Sequence, residues 1–174
     1  MNRSELGRKI YDISNIKGEF LLRSGQISTE YFDKYLFEAQ PDILREIADH
    51  MSALLPDAYD QLAGLEMGGI PIATMVSHYS NIPCLFVRKV AKQHGTSKLA
   101  EGQDFSGKQV TIVEDIVSSG GQIILSAKDL RDLGAEVTHA LCVIDRQSGG
   151  KEKLAENHIT LTSLFTMDNL KRHH

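Results

Sequence analysis

Long apolar runs and abundant proline are both missing from this chain. No apolar run approaches the roughly 20 residues that cross a membrane, and the N-terminus has no signal-peptide core. Four prolines leave little material for a linker, and 174 residues suit one domain with a sizeable core. We therefore expect a single-domain, soluble and unexported protein of the cytoplasm.

Cysteine is scarce, and an excess of positive charge is missing as well. Cys84 and Cys142 lie in apolar, strand-like runs without partners at metal-ligand spacing, which predicts buried, reduced thiols. The formal net charge of −4 disfavours nonspecific attraction to nucleic acid, although it leaves a local basic patch open. We expect neither a nucleic-acid partner nor a membrane partner.

The common phosphate-binding motifs are absent too. The sequence has neither G-x-x-x-x-G-K-[ST] nor G-x-G-x-x-G after a strand, which argues against a P-loop nucleotidase and a classical dinucleotide fold. What it does have is VTIVEDIVSSGGQ at 110–122, where an apolar strand runs into Glu114 and Asp115 and then into a polar turn. A helix follows at once, because apolar residues recur at helical spacing and Gly134 suits its C-terminal end.

The turn at 118–121 predicts an anion site. Successive backbone N–H groups and the positive end of the helix dipole favour a phosphate there. Glu114 and Asp115 would repel phosphate, so they must face an electropositive or hydroxyl-rich part of the same ligand. A sugar phosphate with a metal ion fits. The alternative is an acidic pair that ends a buried strand, followed by an ordinary loop.

Strands and helices alternate along the rest of the chain, which predicts an α/β fold with a parallel sheet and helices on both faces. We predict a helix at 41–55, a strand at 61–65, a glycine turn at 67–69, a helix opened by Pro71, and strands at 83–88, 110–113, 137–144 and 159–165. Ligands bind beyond the carboxyl ends of such strands. Four polar strand ends should therefore converge on one crevice: 66–69, 88–89, 114–115 and 145–146.

The stretch at 90–104 is polar and has no apolar periodicity, which is typical of a lid or an insertion. Its Lys92, His94 and Lys98 suggest a lid that brings positive charge to an anionic substrate. For each of the three, a solvated loop residue is the alternative.

Four motifs together resemble one family. Residues 110–122 resemble the 5-phosphoribosyl pyrophosphate (PRPP) motif of type I phosphoribosyltransferases. RKVAKQHG at 88–95 is similar to the element that begins the mobile catalytic loop of orotate phosphoribosyltransferases. Residues 18–33 resemble the N-terminal hood of that family, and 145–147 match its Asp-Arg-Gln.

The resemblance implies a type I phosphoribosyltransferase fold, in which a central parallel sheet is flanked by helices below a small hood. It implies a hood at about 1–40, a core at about 41–174 and a mobile loop at about 90–104. The implied activity is Mg²⁺-dependent transfer of phosphoribosyl from PRPP to orotate, which gives orotidine 5′-monophosphate and pyrophosphate for pyrimidine biosynthesis.

The resemblance also assigns roles to residues. Catalytic roles fall to Lys92, His94, Glu114 and Asp115. PRPP binding falls to these four and to Gly68, Gly69, Arg88, Lys89, Ile116, Val117, Ser118, Ser119, Gly120, Gly121 and Gln122. Orotate binding falls to Arg23, Tyr31, Phe32, Ser118 and Arg146. Mg²⁺ would be held mainly by PRPP, with Glu114 and Asp115 as further ligands. Lys92 and His94 usually serve the neighbouring subunit in this family, which implies a homodimer.

The chain departs from the family at Gly68, where many relatives carry a lysine, so one pyrophosphate contact is either missing or replaced by backbone N–H groups. Three alternatives stay open at this stage. They are a phosphoribosyltransferase for a purine or another base, a regulator on the same fold that senses PRPP, and an unrelated sugar-phosphate binder.

Overall fold

The computed structural model describes residues 1–22, 24–91 and 98–172. In chain order the elements are α1 (Arg3–Ser14), β1 (Asn15–Leu21), β2 (Ile27–Phe32), α2 (Lys34–Glu38), α3 (Pro41–Ser52), β3 (Gln61–Leu65), α4 (Gly69–Ser80), β4 (Cys84–Val87), β5 (Ala100–Glu101), β6 (Gln109–Val117), α5 (Gly121–Asp132), β7 (Glu136–Asp145), α6 (Gly150–Glu156), β8 (Thr160–Thr166) and α7 (Met167–Lys171). Within these residues, none of the helices has the length and apolar character needed to cross a membrane.

The central sheet has six strands in the order β5-β4-β3-β6-β7-β8. Its five longer strands run parallel to their neighbours, as predicted. The sheet is mixed at one edge, where β5 pairs antiparallel with β4. A two-residue strand is too short to show the period-two pattern that reveals strands. The segment 90–104 was predicted as a loop or lid, but Ala100 and Glu101 within it form the edge strand β5.

Helices cover both faces of this sheet, and β6 shows how its side chains divide between them. Val113 packs into the core formed with α1, α3 and α4, whereas its neighbour Ile112 packs into the core formed with α5 and α6. This division follows from the alternation of side chains along a strand. Because both faces are covered, β3 is buried throughout its length.

Helix α1 lies within the segment predicted as a hood at about 1–40, and its apolar face packs into the core. Leu6 and Ile10 of α1 are fully buried and pack with Ile43 and Ile47 of α3, so α1 belongs to the core. We call the β1–β2 ribbon and α2 the hood, and Phe37 of α2 anchors it in the same core. Its aromatic rings stack loosely, with 5.5 Å between the ring centroids of Phe20 and Tyr31.

Candidate active site

The two acids of the motif lie inside β6 and not after it. The strand continues to Val117, because it keeps pairing with β7 as far as Asp145. Glu114 is 9% exposed and Asp115 is 1% exposed. Burial, together with the neighbouring Asp115 carboxylate, raises the pKa of Glu114 well above its usual range. The pair therefore lies within the sheet at the floor of the crevice.

A glycine turn lies directly against these acids. A Cβ atom at Gly68 would overlap the Oδ2 atom of Asp115, and a Cβ atom at Gly69 would overlap the carbonyl oxygen of Val113. At Gly69 the clash is with backbone, so only glycine fits this close to β6, whereas at Gly68 the Asp115 carboxylate would have to turn away from an added side chain. The turn after β3 and the acids of β6 thus form one wall of the crevice.

Helix α2 of the hood adds two side chains that the sequence analysis missed. The Nζ atom of Lys34 forms an ion pair with the Oδ2 atom of Asp115. Glu38 is buried, and its Oε1 atom lies 3.1 Å from the position that a Cβ atom at Gly68 would take. The spacing of Lys34 and Glu38 by one helical turn, directly after the hood aromatics, is the signal that could have found them. We call Glu38, Glu114 and Asp115 the acid cluster.

Asp115 shifts the pKa values of its neighbours Lys34, Glu38 and Glu114. Burial, followed by the neighbouring Asp115, raises the pKa of Glu38 to about 8, so its carboxyl holds a proton at neutral pH. Burial alone would lower the pKa of Lys34, but the hydrogen bond and charge of Asp115 outweigh it and raise that pKa. Lys34 is therefore a permanent cation beside the acid cluster.

The raised pKa of Glu38 predicts a pH-dependent stability in the absence of Mg²⁺. Between its ordinary value of 4.5 and about 8, the folded state holds a proton that the unfolded state releases. The free energy of unfolding should therefore fall as pH rises from 5 to 8. Glu38→Gln should remove on the order of 2 kcal/mol of this fall, as urea denaturation at both pH values would measure. The exposed Glu152→Gln variant serves as control, and an unchanged pH dependence in Glu38→Gln would contradict the assignment.

The turn at 118–121, which we call the phosphate turn, encloses a cavity of about 170 Å³. The cavity is lined by Glu114, Ile116, Val117, Ser118, Ser119, Gly120, Gly121, Gln122 and Ile123. Gly120 has φ 73°, a backbone conformation that suits glycine. Its carbonyl accepts the N–H of Ile124 at 3.1 Å, so the α5 ladder begins there and the preceding N–H groups are left for a ligand.

Gly150, the first residue of α6, holds the phosphate turn in place. A Cβ atom at Gly150 would overlap the carbonyl oxygen of Ser118, and a Cβ atom at Gly120 would lie 3.1 Å from Leu154 Cγ. The close approach of α6 thus fixes the turn from behind, and this support was not predicted from the sequence.

A second cavity, which we call the hood pocket, has a volume of about 300 Å³ and lies between the hood and the end of β7. Its lining residues are Tyr11, Asn15, Leu22, Ser28, Glu30, Tyr31, Phe32, Arg146, Ser148, Met167 and Lys171. Three predicted base-site residues, Tyr31, Phe32 and Arg146, thus meet in one cavity. The N–H of Arg146 donates to the carbonyl of Val117 at 2.8 Å, which joins the hood pocket to the start of the phosphate turn.

The two cations that follow β4, Arg88 and Lys89, lie away from the cavity of the phosphate turn. Arg88 Nη2 lies 3.6 Å from Glu101 Oε1 of β5, and Lys89 lines a separate cavity beside Asp129 and Asp132. In the part of the chain that the structure describes, neither cation lines the cavity of the phosphate turn. Their pyrophosphate roles stay predictions.

Of the other predicted residues, Lys98 lies in a different cavity, and three lie outside the described residues. Lys98 lines a third cavity that also includes Phe105 and Leu133. The residues Arg23, Lys92 and His94 lie outside the described residues. The thiols are free, as expected, but Cys84 is only half-buried, because β4 lies beside the short edge strand, whereas Cys142 is buried in β7.

The fold and the site define a phosphoribosyltransferase, and residues 37–168 match the family described as "Phosphoribosyl transferase domain". The orotate phosphoribosyltransferase of Nocardioides sp. is 48% identical over 165 residues, which cover 95% of this chain and 92% of that protein. Among solved structures, the Mycobacterium tuberculosis orotate phosphoribosyltransferase in complex with PRPP superposes with a TM-score of 0.84 at 26% identity. That match covers 97% of this chain and 98% of the other.

The same Mycobacterium tuberculosis enzyme in complex with inorganic phosphate gives a TM-score of 0.87 at 27% identity, with the same coverage. This chain therefore belongs to the orotate phosphoribosyltransferase family.

Proposed function

We infer that this protein transfers the phosphoribosyl group of PRPP to orotate and releases pyrophosphate, a step of pyrimidine biosynthesis. One observation carries the inference. The backbone of Arg146, at the end of β7, is hydrogen-bonded to Val117, which precedes the phosphate turn. The phosphate turn and a pocket with a guanidinium on its wall thus adjoin one another, and this supports the binding of a sugar phosphate and an anionic base side by side above the acid cluster.

The acid cluster suits the chemistry of this transfer. The ring nitrogen of orotate forms a bond to C1 of the ribose and gives up its proton to water or pyrophosphate, while the bond from C1 to the pyrophosphate oxygen breaks and its electron pair leaves with pyrophosphate. Positive charge builds on the ribose ring during such a displacement. Glu114 and Asp115 would accept hydrogen bonds from the ribose hydroxyls and stabilise the cationic ring. Since the base itself attacks, no nucleophile on the protein is needed.

We propose that Mg²⁺ assists and is held mainly by the oxygens of PRPP. The residues fit the ion in part, since Glu114 and Asp115 offer the carboxylate oxygens that Mg²⁺ prefers. Lys34, however, already pairs with one oxygen of Asp115. Among residues 1–22, 24–91 and 98–172, no group of three or more His, Cys, Asp or Glu residues could hold a metal by itself. When bound, the ion would neutralise charge on the leaving pyrophosphate.

A spectrophotometric assay tests the proposed function directly. Loss of orotate absorbance should require both PRPP and Mg²⁺, and adenine, guanine, hypoxanthine and uracil should react far more slowly. Turnover of a purine base in preference to orotate would overturn the base assignment. Failure of every base would overturn the activity.

We further propose that the protein is a homodimer in which Lys92 serves the neighbouring site, as the resemblance of residues 88–95 implies. Lys92→Ala should lower kcat at least about 10-fold with little change in PRPP affinity by calorimetry, since a residue that acts only in the transition state changes kcat. Mixing Lys92→Ala with Asp115→Asn subunits should restore activity, because a heterodimer then has one intact site. No rescue after verified subunit exchange would refute sharing.

The proposal also places the enzyme in the cytoplasm. The free thiols of Cys84 and Cys142 agree with a reducing compartment, and burial raises the pKa of the Cys84 thiol to about 11, so that it is unreactive at neutral pH.

A further inference from the structure

The ion pair between Lys34 and Asp115 brings a cation of the hood into the acid cluster. Asp115 is 1% exposed at its side chain, whereas the side chain of Lys34 is 31% exposed. The ammonium therefore lies at the boundary between the buried acids and the open crevice. This arrangement ties α2 of the hood to the floor of the crevice through a charged contact.

The same oxygen of Asp115 faces the glycine turn after β3. A Cβ atom at Gly68 would overlap Oδ2, which is the atom that Lys34 contacts. A side chain at position 68 and the ammonium of Lys34 would thus both meet Oδ2. The chain places a glycine at the first position and brings a cation to the oxygen from α2.

The chemistry of PRPP indicates what this ammonium would meet. If Asp115 accepts a hydrogen bond from a ribose hydroxyl, the ribose ring lies next to Lys34. The diphosphate leaves from C1, which is bonded to the carbon that bears the 2-hydroxyl, so it lies on the same side of the site. An ammonium has three N–H donors, and the contact with Asp115 occupies only one of them.

We propose that Lys34 binds the diphosphate of PRPP and supplies a cation that the glycine at position 68 cannot supply. In the free protein Asp115 holds the ammonium in place. When PRPP binds, a ribose hydroxyl donates a hydrogen bond to the Asp115 carboxylate, and the Lys34 ammonium donates to a diphosphate oxygen. This inference rests on the proposed function, since it requires PRPP in the crevice.

Three ligands distinguish this role from a structural one. Calorimetry without orotate would measure the binding of PRPP, pyrophosphate and ribose 5-phosphate, each with Mg²⁺. Lys34→Ala should weaken PRPP and pyrophosphate by about 10-fold or more, because hydrogen bonds to charged groups are the strong ones. Ribose 5-phosphate, which has no diphosphate, should bind within about twofold of wild type. Lys34→Arg should restore most of the PRPP affinity.

Lys128→Ala is the matched control, because Lys128 forms an exposed ion pair with Asp132 on α5. Equal weakening of all three ligands by Lys34→Ala would mean that Lys34 only positions Asp115, and would overturn the inference. Unchanged affinity of Lys34→Ala for pyrophosphate would also overturn the inference. If Lys34→Ala unfolds, Lys34→Gln is judged by the same criteria. If the wild type binds PRPP and both variants bind it equally well, only this inference fails, whereas a wild type that does not bind PRPP overturns the proposed function too.

Discussion

Asp115→Asn is expected to reduce turnover on the order of 10²-fold, because a preorganised charge that faces the reacting group is commonly worth that much. The substitution keeps the shape of the side chain and removes the negative charge from the ribose site. The steady-state rate with saturating orotate and PRPP would measure the loss.

The same variant should melt close to the wild-type temperature. Asparagine removes the Asp115 charge that, together with burial, raises the pKa values of Glu38 and Glu114, so ionising these two acids costs less in the folded state. Lys34, which loses its ion-pair partner in this variant, is partly exposed, so its ammonium can move into water. Asp132→Asn, on the exposed pair with Lys128, is the matched control. Unchanged turnover in Asp115→Asn would remove this residue from the site.

Asp115→Asn is expected to change the turnover rate and not the stability because of where the acids lie in the sheet. Only part of that placement was predicted from the sequence. Strand β3 was predicted at its observed bounds of Gln61–Leu65, because a short buried run between polar segments is a local signal. The strand at 110–113 was predicted too short, since β6 continues to Val117. Acids normally end an apolar run, but here the pairing with β7 carries the strand through them.

The phosphate turn was predictable because all its parts lie within one short segment. The contacts of the acid cluster were not, because they join residues far apart in the chain. Lys34 reaches Asp115 across the interface between hood and sheet, and Glu38 reaches the same carboxylate from the next turn of α2. The spacing of Lys34 and Glu38 places both on one face of α2, but nothing in the sequence shows that this face meets Asp115. The structure also shows that Gly68 leaves room for the Asp115 carboxylate where that carboxylate pairs with Lys34.

The hood pocket combines one predicted cation with one that was missed. Arg146 was predicted from its motif, whereas Lys171 enters from α7, a helix of five residues that was not predicted. The pocket also contains an acid, Glu30, but Lys17 pairs with it at 2.8 Å and lowers its pKa. Among the described residues, an anionic base would therefore meet two cations, Arg146 and Lys171, and one acid whose negative charge is offset by Lys17.

Arg146→Ala should raise the orotate KM and reduce the preference for orotate over uracil on the order of 10²-fold, while PRPP affinity stays nearly unchanged. A guanidinium can engage the orotate carboxylate with two parallel hydrogen bonds. Uracil has no carboxylate, so it leaves that charge unpaired, and sites built around a polar group discriminate strongly against analogues that lack its partner. Lys171→Ala should change the preference less than about fivefold, because an ammonium lacks the bidentate geometry. Measurement of kcat/KM for both bases in both variants checks this. Full preference retained in Arg146→Ala would assign the carboxylate to another residue, and a larger effect in Lys171→Ala would assign it to α7.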